Sequence, residues 1–297
     1  MSDVRDLLRG SGLPGLLARL GFADEDAAAA VDVAARVADR PDDVARVESV
    51  AAALQARIGA LSGEGGDVLV EEAGDPERFG GVGVRSLLAL LALVATAEDV
   101  ADFHARRGIP ADVSWRSLAD LGQQVRVHRR TYGNFGLHTY GWMRIAWSGA
   151  LYWLGRLQFN LQLDRGEWVL STHIPATGPL TPDLVDASLR EARTFFARHF
   201  PECPSTDFHC CSWLLDPELA AVLPTETNLV RFQRRWRLYG EPKRGDDDVL
   251  FFVFSRRGAV ELDALPQATT LERAVVQRLR SGQHWSVWDG RMPQASV

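Results

Sequence analysis

The sequence predicts an α+β protein, in which a mostly helical N-terminal domain over residues 1–135 precedes a mixed β-sheet domain with flanking helices over residues 136–297. Apolar residues recur at helical spacing through most of the first part, whereas aromatic and alternating runs follow Gly133. The run from Trp168 to Phe200, WVLSTHIPATGPLTPDLVDASLREARTFFARHF, combines a strand, a loop with one glycine and an amphipathic helix. These observations place the sheet in the second half of the chain.

Composition and charge are those of a globular protein, since 46% of the 297 residues are hydrophobic and 24% are charged. A net charge of −6 argues against a nucleic-acid partner, because nucleic-acid-binding domains are usually basic. No apolar signal segment follows Met1, and the apolar run Leu87–Ala95 is too short for a membrane span. Three cysteines form no disulfide framework, so we expect a cytoplasmic protein.

Helices are predicted to fill the N-terminal domain. A helix over residues 3–20 is interrupted near Gly10–Gly15, and helices over residues 24–39 and 42–60 are predicted to be capped by Asp24 and Asp42. Residues 62–81 hold six glycines and predict a long loop with a short strand at Val68–Val70. Further helices are predicted over residues 84–107, 111–130 and 137–147.

Strands are predicted to dominate the second domain. Residues 151–163 are interpreted as one strand with one buried face, because Leu157, Phe159, Leu161 and Leu163 alternate with polar residues, and Gly155 is interpreted as a bulge. A tight turn at residues 164–167 leads into the strand Trp168–Ile174. The remaining predictions are strands over residues 208–215, 228–239 and 249–254, helices over 217–222 and 270–280, and an irregular segment over 283–291.

The loop after the strand Trp168–Ile174 is a candidate phosphate-binding site. Thr181 is a good N-cap for the next helix, and Pro182 suits the first helical position. A glycine-containing loop before a helix directs backbone N–H groups and the positive end of the helix dipole at one place, which suits phosphate. The candidate contacts are Ile174, Ala176, Thr177, Gly178, Leu180 and Thr181, and the apolar stripe of the helix is Val185, Leu189, Ala192, Phe196 and Phe200.

Four runs, LGRLQF, HIPATGPLTP, CSWLLDPEL and NLVRFQRRW, resemble in sequence and order a bacterial acyltransferase family with a helical N-terminal domain and a GNAT-like C-terminal domain. The resemblance covers most of the chain from about Leu88 onward. It implies a GNAT-like mixed sheet and transfer of an acyl group from a pantetheine thioester to an amine of a small molecule or peptide. The implied donor is acyl-CoA or the acyl-phosphopantetheine of an acyl-carrier protein, without a metal. Some relatives act in natural-product biosynthesis.

Two features depart from the general GNAT pattern. The usual phosphate loop, Gln/Arg-x-x-Gly-x-Gly/Ala, is replaced by a segment with one glycine, in which Pro179 lacks an N–H donor and which Asp183 and Asp186 follow closely. The helix predicted over residues 217–222 contains no tyrosine, the residue that many GNATs use there as an acid. These departures keep a second hypothesis open, a catalytically inactive GNAT-fold binding module that recognises a partner protein or an acyl thioester.

Aminolysis of a thioester requires a deprotonated amine, a protonated leaving thiolate and close reactants. His173, at the end of its strand, is the candidate base, since an unperturbed histidine has a pKa near ~6.5; the alternative is a structural histidine. Ser212 and Asp216 are predicted to lie across the cleft, Ser212 as proton donor or substrate contact. Asp216 is either an amine contact or the N-cap of the helix that starts at Pro217.

Further candidates are Arg156 and Trp213 for the substrate and Arg234 for the donor phosphates. Trp213 has an alternative place in the core, and the arginines around Arg234 have an alternative as a solvated face or a docking site for an acidic carrier protein. Cys203, His209 and Cys211 lack the spacing of a zinc site. Cys210 and Cys211 are neighbours in a predicted strand and face opposite ways, so at most one of them can enter a site. We therefore expect no metal and interpret the cysteines as small apolar side chains.

Overall fold

A computed structural model describes residues 4–62 and 84–297 of the chain. The chain forms two compact units, Met1–Tyr152 and Trp153–Val297. The predicted loop over residues 62–81, with its strand at Val68–Val70, lies outside the described residues except for its first position. The helices of the first unit are α1 (Val4–Arg9), α2 (Leu13–Arg19), α3 (Asp24–Ala38), α4 (Pro41–Gln55), α5 (Val84–Arg106), α6 (Ala111–Leu118), α7 (Asp120–Tyr132) and α8 (Tyr140–Trp147).

The apolar run of α5 is the centre of the first unit. Residues 87–94 are all buried, and all of them except Ala89 join one core cluster with apolar residues of the other helices. This burial accounts for a run that is apolar on every side of the helix. Among the described residues, no helix is long and apolar enough to cross a membrane.

Two details of the first unit differ from the sequence-based predictions. The N-cap positions of α3 and α4 are Ala23 and Arg40, not Asp24 and Asp42. The two aspartates lie in the first turns of these helices, where a carboxylate interacts favourably with the helix dipole. The single helix predicted over residues 111–130 is interrupted at Ala119. There Gly122 packs on the backbone of Gly21, so closely that a Cβ at Gly122 would lie 2.2 Å from it.

Among the described residues, six strands form one sheet, with the order β1-β2-β3-β4-β6-β5. Strands β3 and β4 are parallel, whereas the β2–β3, β4–β6 and β5–β6 pairs are antiparallel. The strands are β1 (Leu151–Leu154), β2 (Leu157–Asp164), β3 (Glu167–His173), β4 (Asp207–Ser212), β5 (Arg237–Arg244) and β6 (Ser286–Pro293). The helices are α9 (Pro182–His199), α10 (Pro217–Val222), α11 (Asn228–Gln233), α12 (Asp246–Phe254) and α13 (Thr270–Arg280).

The strand–loop–helix prediction is confirmed. Arg165 and Gly166 form the β2–β3 turn with positive φ angles, and β3 covers the predicted strand except for Ile174. Thr181 is the N-cap of α9, although its side chain makes no capping hydrogen bond, and Pro182 occupies the first turn. All five predicted stripe residues of α9 are buried.

Four secondary-structure assignments from the sequence are wrong. Residues 228–239 form α11 and the start of β5, and residues 249–254 lie in α12, where Val249 and Phe254 join the apolar cluster that also contains α13 residues. Residues 283–291, predicted irregular, supply most of β6. Residues 151–163 form two strands, because Gly155 takes a φ of +63° and turns the chain instead of forming a bulge. A short apolar run is compatible with a buried helix as well as with a strand, so tertiary packing determines which of the two forms.

The predicted single buried face of β2 is also wrong. Leu157 to Leu161 are all buried, including Gln158 and Asn160, whereas Leu163 is 45% exposed. Cross-strand pairing places Phe159, Leu170 and Phe208 on one face, because paired positions share a face. We call the opposite side the polar face; it carries Asn160, Ser171, His173, His209, Cys211, Tyr239, Asp289 and Arg291.

Candidate functional site

The sheet opens between its two parallel strands. β3 and β4 pair at three positions, the last of which joins Ser171 to His209. Beyond it, β3 continues along β2 to His173, while β4 continues along β6 to Ser212. We call this opening the strand gap; residues 172–174 flank it on one side and residues 210–212 on the other. The gap leaves two strand edges beside each other, where an extended ligand can bind through main-chain groups.

His173 lies on the β3 side of the strand gap and on the polar face. Its Nε2 lies 2.6 Å from Asn160 Oδ1, and Asn160 Nδ2 donates to Leu161 O at 2.8 Å. The asparagine oxygen therefore accepts from His173 Nε2–H, and the neutral imidazole carries its lone pair on Nδ1. Burial, together with the nearby His209, lowers the pKa of His173 to about 3. The unperturbed pKa near 6.5 therefore does not apply to His173, which is neutral at neutral pH.

Ser212 lies on the β4 side of the gap, where its Oγ accepts a hydrogen bond from Leu214 N at 3.1 Å. The hydroxyl keeps its own hydrogen, so the hydroxyl group remains a donor. Asp216 is buried; its Oδ1 accepts from Glu218 N at 3.0 Å and its Oδ2 from Ser286 N at 2.8 Å. Burial raises the pKa of Asp216, and the two amides oppose that rise. Asp216 thus caps α10 and ties it to the start of β6.

Trp213 and Ile174 join the same apolar cluster from opposite sides of the strand gap. Trp213 is buried, and Ile174 packs against the cluster while partly exposed. Both alternatives for Trp213 are therefore compatible with its position, because a core residue here also forms a wall beside the gap. The other buried members of the cluster are Leu214, Leu219, Leu223, Val230, Val249, Leu250, Phe254, Leu265, Val275, Val276 and Trp285.

Arg156 organises the candidate phosphate loop. Its guanidinium donates to Pro175 O at 2.9 Å and to Gly178 O and Pro179 O at 3.0 Å each. Its backbone N–H donates to Ser188 Oγ at 2.6 Å, which ties the β1–β2 turn to α9. Burial lowers the pKa of Arg156, but guanidinium groups stay protonated in proteins. The structure therefore places Arg156 on the carbonyl oxygens of the loop.

The loop presents fewer amide donors than the sequence indicates. Thr177 N donates to Pro175 O at 2.8 Å, and Pro179 has no N–H. Gly178 takes a φ of +71°, while Ala176 and Thr177 are exposed and Leu180 is buried. Donors toward an anion are therefore expected from Leu180, Thr181 and the first turn of α9.

The acidic residues after the loop are partly neutralised. Arg235 forms an ion pair with Asp186, and both side chains are partly buried, whereas Asp183 is exposed. Arg234, the next candidate, is exposed at the C-terminal end of α11. Of these residues, Arg234 is thus the arginine available to an external phosphate, and Arg235 holds the α11 segment against α9.

A second histidine on the polar face, His209, was considered from the sequence only as a zinc ligand and was missed as a residue of this site. His209 Nε2 lies 3.0 Å from Asp289 Oδ1, and Asp289 comes from β6, the strand predicted to be irregular. Near it, Tyr239 donates to Asp164 Oδ2 at 2.8 Å, and burial followed by this carboxylate raises the pKa of Tyr239 to about 12. The alternation of His209 and Cys211 along β4 is the only sequence signal for this group.

The cysteines and the residue types that bind metals indicate no further catalytic or metal site among the described residues. Cys210 is buried and Cys211 exposed, and burial, with neighbouring negative charge, raises the pKa of both thiols. Thiols held protonated are poor nucleophiles. Within residues 4–62 and 84–297, no group of three or more histidine, cysteine or carboxylate side chains is arranged to hold a metal.

Family profiles match both units of the chain. The profile described as the N-acyltransferase N-terminal domain matches residues 11–149, and the profile described as the GNAT-like C-terminal domain matches residues 151–292. No curated protein matches this sequence.

Several solved structures are similar to this chain over most of their length. They include an acyltransferase mutant with octanoyl-CoA, an acyltransferase with CoA and 10C-teicoplanin, and an acyltransferase with decanoyl-CoA and teicoplanin. Each shares 36% sequence identity with this chain, at a TM-score of 0.86, and the match covers 96% of this chain and 88% of the other.

Proposed function

This chain belongs to the GNAT-type N-acyltransferases that join an N-acyltransferase N-terminal domain to a GNAT-like C-terminal domain, and we propose that its acceptor is an amine of a glycopeptide-like natural product. The enzyme moves an acyl group from a pantetheine thioester to an amine. We propose acyl-CoA with an octanoyl or decanoyl chain as the donor, because similar acyltransferases bind octanoyl-CoA, decanoyl-CoA and teicoplanin. An acyl-carrier protein is the alternative donor.

The strand gap carries this proposal. A pantetheine arm is extended and contains amide groups, so it suits a place where two strand edges lie apart after Ser171 and His209. With the arm in the gap, the thioester lies between His173 and Ser212, the residues at the two strand ends.

The donor phosphates are assigned to the loop after β3. The amides of Leu180 and Thr181 and the first turn of α9 offer donors at the positive end of a helix. Arg156 holds three loop carbonyls away from that place, and exposed Arg234 adds positive charge. In this assignment, Arg156 shapes the loop and does not contact the substrate.

The acyl chain is assigned to the apolar cluster beside the gap. Ile174 and Trp213 enter the cluster from the two sides where the thioester would lie. An alkyl chain gains about 0.8 kcal/mol for each buried methylene group, so an apolar wall favours chains longer than acetyl.

The chemistry is assigned to His173 and Ser212. His173 is neutral and has a lone pair on Nδ1, so it is suited to accept the proton that the attacking nitrogen sheds as the C–N bond forms. Ser212 donates its hydroxyl proton to the leaving thiolate and is reprotonated from the His173 imidazolium, so that the shed proton ends in the thiol. Asp216 supports this site by holding α10 and β6 together.

A reducing compartment suits this assignment. Cys203, Cys210 and Cys211 are all present as thiols, as in a cytoplasmic protein, and acyl-CoA is an intracellular metabolite.

Thiol release from octanoyl-CoA and decanoyl-CoA, measured with and without teicoplanin lacking its acyl group, tests the proposal. We expect thiol release only with the free amine present, together with a mass increase of the acceptor equal to the acyl group. An acceptor whose amine is already acetylated is the matched control. Tight binding of acyl-CoA without turnover across a panel of amines would support the inactive binding module instead.

A further inference from the structure

His209 lies where the strand gap begins. It forms the last paired position of β4 with β3, opposite Ser171, and it shares the polar face with His173, two residues further along β3. A protonated His209 would repel a proton on His173, and this repulsion contributes to the lowered pKa of His173, so the two imidazoles interact electrostatically. His209 therefore lies close to the place assigned to the thioester, although it does not line the gap.

The hydrogen bonds of His209 define its tautomer. Nε2 lies 3.0 Å from Asp289 Oδ1, so this nitrogen donates, and in the neutral imidazole Nδ1 carries the lone pair. His209 is 4% exposed, and its Nδ1 has no hydrogen-bond partner among the residues that the structure describes. A buried acceptor without a donor is unfavourable and requires an explanation. A carboxylate on one nitrogen and an open lone pair on the other is the arrangement of a histidine that takes up protons.

The reaction releases one proton overall. An aliphatic amine is mostly an ammonium ion at neutral pH, so an ammonium ion and a thioester give an amide, a thiol and one proton. The proton shed during C–N bond formation ends on the thiolate. The first proton of the ammonium ion must leave before the attack, and it needs an acceptor with a pKa near the working pH. His173, with a pKa of about 3, is poorly matched to that step.

We propose that His209, oriented by Asp289, takes up the first proton of the acceptor ammonium ion at Nδ1, directly or through one water molecule, and then releases it to solvent. This inference rests on the proposed N-acyl transfer. Asp289 stabilises the imidazolium that forms, and its partly exposed carboxylate opens toward the solvent to which the proton leaves. His173 and the His209–Asp289 pair thus divide two proton transfers between them.

Several other charged and titratable groups face His209. They are His173 from β3, Asp289 and Arg291 from β6, Tyr239 from β5, Asp164 at the end of β2, and Asp207 and Cys211 from β4. Of these, Arg291 is paired with Asp164 and Glu167, and Tyr239 donates to Asp164. Asp289 is therefore the carboxylate that contacts His209 directly.

The pH profile of kcat/KM for the amine tests the proposal. We expect the wild-type profile to rise with an inflection near neutral pH. His209→Gln should lower kcat/KM by roughly 10²–10⁴-fold and remove the inflection. Asp289→Asn should move the inflection to lower pH, because loss of the carboxylate disfavours the imidazolium. The affinity for decanoyl-CoA should stay within a few fold in both variants.

His284→Gln is the matched control. His284 Nδ1 lies 2.8 Å from Asp246 Oδ2, so it is also a histidine paired with an aspartate, but it is exposed and lies outside the polar face. This variant should keep the wild-type pH profile. If His209→Gln folds and also keeps the wild-type profile, the proposal is wrong.

Nitrogen-15 NMR of the histidine side chains in the wild-type protein gives a readout independent of turnover and of variant folding. We expect His209 to be the Nε2–H tautomer at high pH and to gain a proton at Nδ1 over the range in which kcat/KM falls. A His209 that stays neutral over that range would overturn the proposal even if both variants unfold. An enzyme without turnover on any amine would instead contradict the proposed function.

Discussion

His173 is held by Asn160, whose Oδ1 lies 2.6 Å from His173 Nε2 across the β2–β3 pair. The asparagine is itself fixed by a hydrogen bond to Leu161 O, so it determines which nitrogen of the imidazole carries the lone pair. This partly buried polar pair therefore orients a neutral histidine at one edge of the strand gap. Four expectations follow from this geometry and from that of the loop.

His173→Ala should lower the acyl-transfer rate by roughly 10²–10⁴-fold, the usual contribution of a positioned proton acceptor. Donor affinity should stay within a few fold and the melting temperature nearly unchanged. His173→Gln is the control, since it keeps a hydrogen-bonding group without proton transfer and should be as slow as His173→Ala. Near-normal activity of the alanine variant would exclude this role, and unfolding would identify a structural histidine.

Acid should destabilise the protein partly through His173. Its folded-state pKa of about 3 is below the unfolded value of 6.5, so its stabilising contribution is complete above pH 6.5 and is lost as the pH falls toward 3. Between pH 6.5 and 5 the loss is at most about 2 kcal/mol. Urea unfolding at both pH values should show a smaller loss for His173→Gln than for wild type. His104, with a pKa of about 4, contributes equally to both proteins. Equal losses would contradict the prediction.

Arg156→Gln should weaken acyl-CoA binding by about tenfold, or about 1.4 kcal/mol, with kcat changed by a few fold at most. The reason is that three loop carbonyls lose their donor and can turn toward the phosphates. Arg156→Lys should recover only part of the affinity, because an ammonium lacks the planar fork of the guanidinium. Calorimetry with CoA and decanoyl-CoA measures the effect. Arg198→Gln, an exposed change at the opposite end of α9, is the control. If Arg156→Gln and the control Arg198→Gln bind CoA equally well, Arg156 does not shape the loop.

Arg234→Glu should weaken donor binding more at low salt than at high salt, since exposed charges are screened over ~8–10 Å at physiological ionic strength. Arg235 is unsuitable for this test, because Arg235→Glu also breaks its ion pair with Asp186. Arg198→Glu changes the net charge equally at a distant exposed position and should have little effect. A solvated face would instead give the same affinity for Arg234→Glu and Arg198→Glu at every ionic strength.

Helix and strand boundaries could be predicted where the signal is local. The turn at Arg165-Gly166, the loop at Gly178 and the caps at Thr181 and Asp216 rest on backbone chemistry within a few residues. The strands assigned to residues 228–239 and 249–254 failed, because their apolar side chains suit a buried helix equally well.

The site residues divide in the same way. Asp216 keeps the predicted capping contact, but its second oxygen binds Ser286 N, 70 residues away. The contacts of Arg156 with three loop carbonyls could not be predicted from the sequence, because they depend on how the β1–β2 turn packs against the loop. Contacts of this kind arise from strand order, which local patterns do not encode.

The sequence by itself determined the strand–loop–helix unit from Trp168 to Phe200 and the position of His173 at the end of its strand, because hydrophobic periodicity and turn chemistry act between near neighbours. Only the tertiary structure decided the charge of His173 and the partner of His209. The pKa of His173 depends on burial and on His209, which a parallel crossover through α9 brings beside β3. Asp289 reaches His209 from 80 residues away because β6 inserts between β4 and β5. Burial and long-range strand pairing are properties of the packed sheet, so no window of the sequence contains them.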